Sequence, residues 1–135
     1  MLGWDKYLVG MELSWSFHFS ERDMEAFAAL SQDYNPVHLD NSFAQSKGYE
    51  APIIHGLLLS TQMSRLIGQE LPDKHAILTG IKMDFLQPCF ANNLLIFHAE
   101  LISKSEAALF LEFKCKIMNG DVTASRGKVN AVWKP

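Results

Sequence analysis

The chain has 135 residues, of which 48% are hydrophobic and 20% are charged. This size predicts a single domain over residues 1–135, and the composition excludes a disordered or fibrous protein. Twelve Lys and Arg stand against fifteen Asp and Glu, which gives a net charge of −3 without any basic block. The charge pattern argues against a nucleic-acid partner, because binding to phosphates requires clustered cations.

The cysteines and the apolar segments indicate the cellular compartment of the protein. Cys89 and Cys115 lie in apolar surroundings and match neither a metal-binding nor a redox spacing. We therefore expect free, buried thiols in a reducing compartment. The N-terminus lacks the apolar run of a signal peptide. The uncharged stretch between Glu50 and Arg65 is too short and too polar to span a membrane. The sequence predicts a cytoplasmic protein with no membrane partner.

The first half of the chain is mostly helical after one short strand. Alternating apolar residues predict a strand over residues 13–19. Ser20 offers an N-cap to an amphipathic helix over residues 21–32. Asp40 is placed to cap a second, short helix, which Gly48 terminates.

A third helix is predicted from about residue 56 to residue 69, with apolar side chains around most of its circumference. Such a helix is typically buried on all sides. Gly56, Ser60 and Ser64 follow one another at intervals of four, so they form a line of small residues on one side of the helix. Another backbone or a ligand can come close along this line.

The second half of the chain is typical of an antiparallel sheet. Asn119-Gly120 predicts a hairpin with a type I′ turn, which needs a positive φ at both of these residues. Consecutive strands joined by short turns predict a meander that curls around the buried helix, an α+β architecture. The predicted strands cover residues 75–86, 94–103, 107–118 and 122–133.

The segment after the first helix carries the main candidates for chemistry. Asp33 lies at the C-terminal end of that helix, where a carboxylate faces the negative end of the helix dipole. Asn35-Pro36 then forces a turn, and His38 follows on it. A carboxylate and an imidazole that share one water are what the addition of water to a polarised double bond requires. An ordinary surface turn is the alternative interpretation.

The start of the third helix is a second candidate. Backbone N–H groups at a helix N-terminus have no partner within the helix and suit a developing oxyanion. Gly56 has no side chain to block the approach of a ligand. His55 is interpreted as a structural residue that satisfies buried polar groups.

Two motifs resemble those of a known family. They are Asp33-x-Asn35-Pro36-x-His38-x-Asp40 followed by Ala44, and Pro52-Ile53-Ile54-His55-Gly56-Leu57-Leu58. The family is that of the MaoC-like dehydratases, and the resemblance is closest to the (R)-specific enoyl-CoA hydratases. It extends over residues 17–132 and includes Phe85-Leu86-Gln87-Pro88.

The resemblance implies a hot-dog fold, a homodimer and an acyl thioester in a tunnel near the subunit interface. It implies that Asp33 and His38 are the catalytic dyad and that Asn35 shapes their turn. It further implies that the Gly56 amide binds the thioester oxygen and that Ser64 lines the site. The implied reaction is reversible syn hydration of a trans-2-enoyl-CoA to the (R)-3-hydroxyacyl-CoA, with no metal and no redox cofactor. The short chain also favours a second copy as the cover of the site.

Two departures from the family pattern and three other functions stay open. Gln32 stands where the family often has Gly, which is tolerated if its φ is negative, and Asn92-Asn93 replace a common Gly-Asp. Asn accepts the left-handed conformation, so that turn is expected to survive. The other functions are dehydration of a 3-hydroxyacyl group on acyl carrier protein, thioester hydrolysis, and acyl binding or dimerisation without catalysis.

Overall fold

The computed structural model describes residues 3–135. Met1 and Leu2, at the N-terminus where we expect no signal peptide, lie outside the described residues. The elements are a 3₁₀ turn Trp4–Lys6, β1 Glu12–Phe17, α1 Glu21–Ser31, a 3₁₀ turn Pro36–His38, α2 Asn41–Ser46, α3 Gly56–Arg65, a π-helical turn Leu66–Glu70, β2 Ala76–Phe85, β3 Leu95–Ser105, β4 Phe110–Asn119 and β5 Val122–Trp133.

The five strands form one antiparallel sheet in the order β1-β3-β4-β5-β2. The predicted meander is correct for β3, β4 and β5. It is wrong for β2, which pairs with β5 instead of its neighbour in sequence. The reason is the connection after β2, where the carbonyl of Cys89 accepts a hydrogen bond from Ile54 N at 2.8 Å. That segment pairs with the residues before α3 and does not form a tight turn.

The hairpin between β4 and β5 differs from the predicted turn by one residue. Asn119 is paired with Val122, so the two turn residues are Gly120 and Asp121. Of these two, only Gly120 has a positive φ, at 60°. The predicted type I′ turn is therefore wrong, and the pattern fits a type II′ turn, which needs glycine at its first central position only.

The core lies between α3 and the inner face of the sheet. Side chains from α3 and from every second position of the strands form one buried cluster that includes Met63, Leu66, Phe97, Phe113 and Val129. This arrangement follows from the period of two along a strand, which sends alternate side chains to one face. Cys89 and Cys115 are buried and free, as predicted. Burial raises the pKa of these thiols to about 11 and about 12, so both stay neutral.

Two predicted apolar faces are only partly buried. On α1, Met24 and Ala28 are buried, whereas Leu30 is 84% exposed. On α3, Leu57 is 66% exposed and Ser64 is exposed as well. The prediction of a helix buried on all sides is therefore wrong along one stripe. That stripe borders the side of α3 where Gly56 and Ser60 approach β2, one of the two edge strands of the sheet.

Candidate active site

Hydrogen bonds from side chains to the backbone build the loop that carries Asp33 and His38. The carboxylate Oδ1 of Asp33 accepts from Asn35 N at 3.1 Å, and Asn35 Oδ1 accepts from Val37 N at 3.1 Å. Such Asx turns replace helix bonds after α1 and fix the chain direction. Asn35 thus shapes this turn, and Pro36 begins the short 3₁₀ turn that ends at His38.

This loop brings Asp33 and His38 together. His38 Nε2 lies 3.8 Å from Asp33 Oδ2, which is too long for a direct hydrogen bond and short enough for both atoms to contact one water. On the other side of the ring, His38 Nδ1 lies 2.7 Å from the carbonyl oxygen of Ile53. A carbonyl only accepts, so Nδ1 carries the proton, and in the neutral ring Nε2 offers its lone pair towards Asp33.

His55 connects the loop of residues 32–38, called the dyad loop below, to the start of α3. It is 1% exposed, and its ring stacks on that of His38 with 3.9 Å between centroids. His55 Nε2 donates to the carbonyl oxygen of Asp33 at 3.2 Å, and burial lowers the pKa of His55, which favours the neutral ring. Its Nδ1 is buried and has no partner among residues 3–135. The sequence interpretation missed this stacking, because it depends on the approach of two segments far apart in the chain.

The N-terminus of α3 is open at Gly56. His55 occupies the N-cap position without a side-chain cap, and the first bond within the helix runs from Leu59 N to His55 O. The N–H groups of residues 56–58 precede that bond and have no hydrogen-bond partner within residues 3–135. Gly56 and His38 line one cavity of about 300 Å³, together with Phe85 and others. The cavity therefore brings an imidazole and the free N–H of Gly56 to the same volume.

Ser64 lies apart from these groups. It is exposed, and it follows Gly56 by eight residues, which is about 12 Å along a helix axis. It does not line the cavity that contains His38 and Gly56. The structure thus places His38 and Gly56 in one cavity and Asp33 beside His38 but outside the cavity lining, and it leaves Ser64 two turns further along α3.

The geometry fits an acid–base dyad better than a metal centre. Within residues 3–135, Asp33, His38 and His55 are a group whose ligand atoms lie within 4.8 Å of one another. The two imidazole planes are 22° apart and stacked. Ring lone pairs lie in the ring plane, so the two rings do not aim at one ion at bonding distance.

Comparison with known proteins gives this arrangement a family. The family model described as "MaoC like domain" matches residues 9–123. The chain belongs to the MaoC-like family. It is 40% identical over 98 residues to the (R)-specific enoyl-CoA hydratase of Aeromonas caviae, which is 73% of each chain. It is 25% identical over 118 residues to the mitochondrial 3-hydroxyacyl-[acyl-carrier-protein] dehydratase of Arabidopsis thaliana, covering 84% of this chain and 70% of that one.

A solved structure of a hydratase is also similar to this chain. The (R)-hydratase from A. caviae superimposes on this chain with a TM-score of 0.89 at 33% identity, covering 95% of this chain and 98% of that one. The predicted MaoC-like family and hot-dog fold are therefore confirmed. The relatives are named as hydratases and dehydratases, the class of enzyme that the motifs predict. Within residues 3–135, the structure contains no helix that is long and apolar enough to cross a membrane.

The two departures of this MaoC-like chain from the family pattern have different outcomes. Asn92 adopts a φ of 65°, so it takes the left-handed conformation as predicted. Gln32 also has a φ of 65°, so the negative φ on which its tolerance was made conditional is not found. The reason is that α1 ends at Ser31 and Gln32 is its C-cap, where the chain must reverse towards Asp33. The Gln32 side chain donates to the carbonyl of Ala29 at 2.7 Å, which satisfies one free carbonyl at the end of the helix.

Proposed function

We propose that this chain is an (R)-specific enoyl-CoA hydratase that adds water reversibly to a trans-2-enoyl-CoA. One observation carries the proposal. His38 Nε2 lies 3.8 Å from Asp33 Oδ2, and His38 shares a cavity with the uncapped amide of Gly56. The relatives named as hydratases support the same reaction.

In the proposed mechanism, Asp33 and His38 hold one water beside C3 of the enoyl group. The water oxygen bonds to C3, its proton passes to the dyad, and the dyad delivers a proton to C2. Both new bonds form on the side of the substrate that faces the dyad, so the addition is syn. The Gly56 N–H stabilises the negative charge that develops on the thioester oxygen. The proton is assigned to the pair and not to one of its two members.

We also propose that a second copy of the chain covers the site. The edge strand β2 and the stripe of α3 beside it carry exposed apolar side chains, namely Leu57, Ile77, Ile81 and Phe85. An unpaired edge with apolar side chains tends to pair with another chain. Sedimentation velocity is expected to give the mass of a dimer, and a monomer at micromolar concentration would contradict this part of the proposal.

The test follows the loss of enoyl-thioester absorbance with crotonyl-CoA, and chiral analysis identifies the product. We expect the (R)-3-hydroxy product from the wild type. Asp33→Asn and His38→Gln are each expected to lower kcat by about 10²–10⁴-fold with the fold retained. Asp121→Asn and His98→Gln are the matched controls, because these residues neither line the cavity nor pair with Asp33 or His38. Wild-type turnover by either dyad variant would sink the proposed dyad.

The main alternative is dehydration of a 3-hydroxyacyl group on acyl carrier protein, the substrate named for the Arabidopsis relative. Both candidate partners are negatively charged, because CoA carries phosphates and acyl carrier protein is acidic, so either one requires cations near the site. None of Lys47, Arg65, Lys82 and Arg126 lines the cavity, and Arg65 pairs with Glu70 at 2.8 Å. Comparison of kcat/KM for the CoA and carrier-protein thioesters decides between the two.

Two further outcomes identify the remaining candidates. Release of free thiol would indicate a thioesterase. Acyl-CoA binding without turnover of any enoyl thioester would indicate a binding module. The cytoplasmic location stays a prediction from the sequence.

A further inference from the structure

His55 packs against the dyad without lining the cavity. Its ring stacks on the ring of His38, with 3.9 Å between centroids and 22° between the planes. Phe27 of α1 meets the same ring at 4.9 Å with an interplanar angle of 65°. His55 is 1% exposed and does not line the cavity that contains His38 and Gly56. It therefore contacts the dyad from within the protein, apart from the volume in which a substrate would lie.

The same ring is bonded to the other member of the dyad. His55 Nε2 donates to the main-chain carbonyl of Asp33 at 3.2 Å. The other hydrogen bonds of Asp33 within residues 3–135 run to Ser31 and Asn35, its neighbours in the chain. The Asp33 side chain is 48% exposed, so packing does little to hold it. The bond from His55 ties Asp33 to a segment 22 residues away.

These two contacts connect the spacing of the dyad to one buried ring. His38 Nδ1 is bonded to the carbonyl of Ile53, which lies two residues before His55 in the chain. The stack and this bond orient the His38 ring, while the bond from His55 positions the backbone of Asp33. The 3.8 Å between His38 Nε2 and Asp33 Oδ2 thus depends on a residue that contacts both. A misplacement of about 1 Å in such a pair can lower turnover by about 100-fold.

The surroundings of His55 also disfavour a charge on its ring. A carbonyl only accepts, so Nε2 carries the proton, and Nδ1 of the neutral ring presents a lone pair. This Nδ1 is buried and has no partner within residues 3–135, so a second proton there would have no acceptor. The titratable groups of these residues that act on His55 are His38 and Asp33. Burial lowers the pKa of His55 most strongly and His38 lowers it further, against the opposing effect of Asp33.

We propose that His55 is the positioning residue of the dyad, a neutral ring that holds His38 and Asp33 at their spacing and takes no part in proton transfer. The inference rests on the proposed function, because it takes Asp33 and His38 as the dyad. A residue that only fills the core could be replaced by phenylalanine, which retains a ring and removes the buried atom without a partner. A positioning residue also needs the Nε2 donor, which phenylalanine lacks.

The test compares His55→Phe and His55→Gln with the wild type on crotonyl-CoA. The first variant keeps a ring without a donor, and the second keeps an N–H donor without a ring. Each is expected to lower kcat by about 10–100-fold. KM should change by less than about 3-fold, because the residues that line the cavity are intact. The melting temperature of His55→Phe is expected to equal or exceed that of the wild type, since a buried atom without a partner is removed.

A double variant separates positioning from a general loss of stability. In Asp33→Asn the dyad is already disabled, so the addition of His55→Phe is expected to lower kcat no further. A residue with only a structural role would instead give two losses that multiply. His75→Phe is the matched control, because His75 packs edge-on against Trp133 at 5.4 Å and neither residue lines the cavity. Its kcat is expected to equal that of the wild type.

The proposal is overturned if His55→Phe turns over at the wild-type rate, or if the two losses multiply in the double variant. If the wild type hydrates no enoyl-CoA, the proposed function fails. In that case, or if neither His55 variant folds, NMR of the ¹⁵N-labelled wild type tests His55 separately. It is expected to show the neutral Nε2–H form of His55, in contact with the ring of His38, between about pH 5 and 8. A proton on Nδ1 of His55 in that range overturns the proposal.

Discussion

The helices of this molecule begin in two different ways. At the start of α1, Ser20 Oγ accepts from Asp23 N at 3.1 Å and the Asp23 carboxylate accepts from Ser20 N at 2.8 Å, a complete capping box. At the start of α2, Asp40 Oδ1 accepts from Phe43 N at 2.9 Å. At the start of α3, His55 contributes no such bond, and glycine follows it.

This contrast predicts that the starts of α1 and α2 serve stability and that the start of α3 serves function. The caps of α1 and α2 satisfy N–H groups that a helix cannot satisfy internally. The more buried α3 leaves these donors free, at the point where His38 and Gly56 share a cavity. A free helix N-terminus is a site for negative charge. We expect changes at the first two helix starts to alter the free energy of unfolding, and changes at the third to alter turnover.

Among changes at the ends of the helices, the largest effect is expected for Gly56→Ala. The added Cβ meets the Phe85 ring at 2.8 Å, and because Phe85 is 49% exposed the ring can move away. The fold should be retained, while the displaced Phe85 ring no longer covers the Gly56 N–H in the same way. Since removal of an oxyanion donor costs about 10²–10³-fold, a displaced one is expected to lower kcat by about 10–100-fold.

Gly68→Ala is the control for this variant. Gly68 follows in the π-helical turn after α3, and nothing lies within 4 Å of an added Cβ there. Its turnover is expected to match that of the wild type. Equal turnover of Gly56→Ala and Gly68→Ala would show that the open start of α3 does not serve the reaction.

Local chemistry in the sequence predicted much of this contrast. Ser20 and Asp40 were identifiable as caps, and Asn92 as a left-handed residue, because each depends on its immediate neighbours. The exposure of Leu57 and the pairing of β2 with β5 depend on residues distant in the chain. For the same reason, the motif predicted the proximity of Asp33 and His38, whereas the stacking of His55 on His38 was not predictable.

A smaller effect is expected where a capping box is removed. Ser20→Ala deletes the hydroxyl that accepts from Asp23 N, and it is expected to lower the free energy of unfolding by about 1 kcal/mol. Turnover should stay at the wild-type value, because Ser20 does not line the cavity with His38 and Gly56. Urea denaturation and a steady-state assay measure the two quantities. A loss of turnover without a loss of stability would reverse the division between the helix starts.

The smallest effect is expected for Gln32→Gly at the other end of α1, where the dyad loop begins. Gln32 holds a φ of 65° and Gly48 a φ of 91°, so the same backbone region is occupied once by a residue with a Cβ and once by glycine. Gln32→Gly removes the conformational cost but also the side-chain bond to Ala29, and a net gain of about 0.5 kcal/mol in unfolding free energy is expected. Gly48→Ala has open space for its Cβ and is expected to lose about 1 kcal/mol through φ alone. If Gln32→Gly proves less stable than the wild type, the bond to Ala29 outweighs the strain, and glutamine is the better residue at the entrance to the dyad loop.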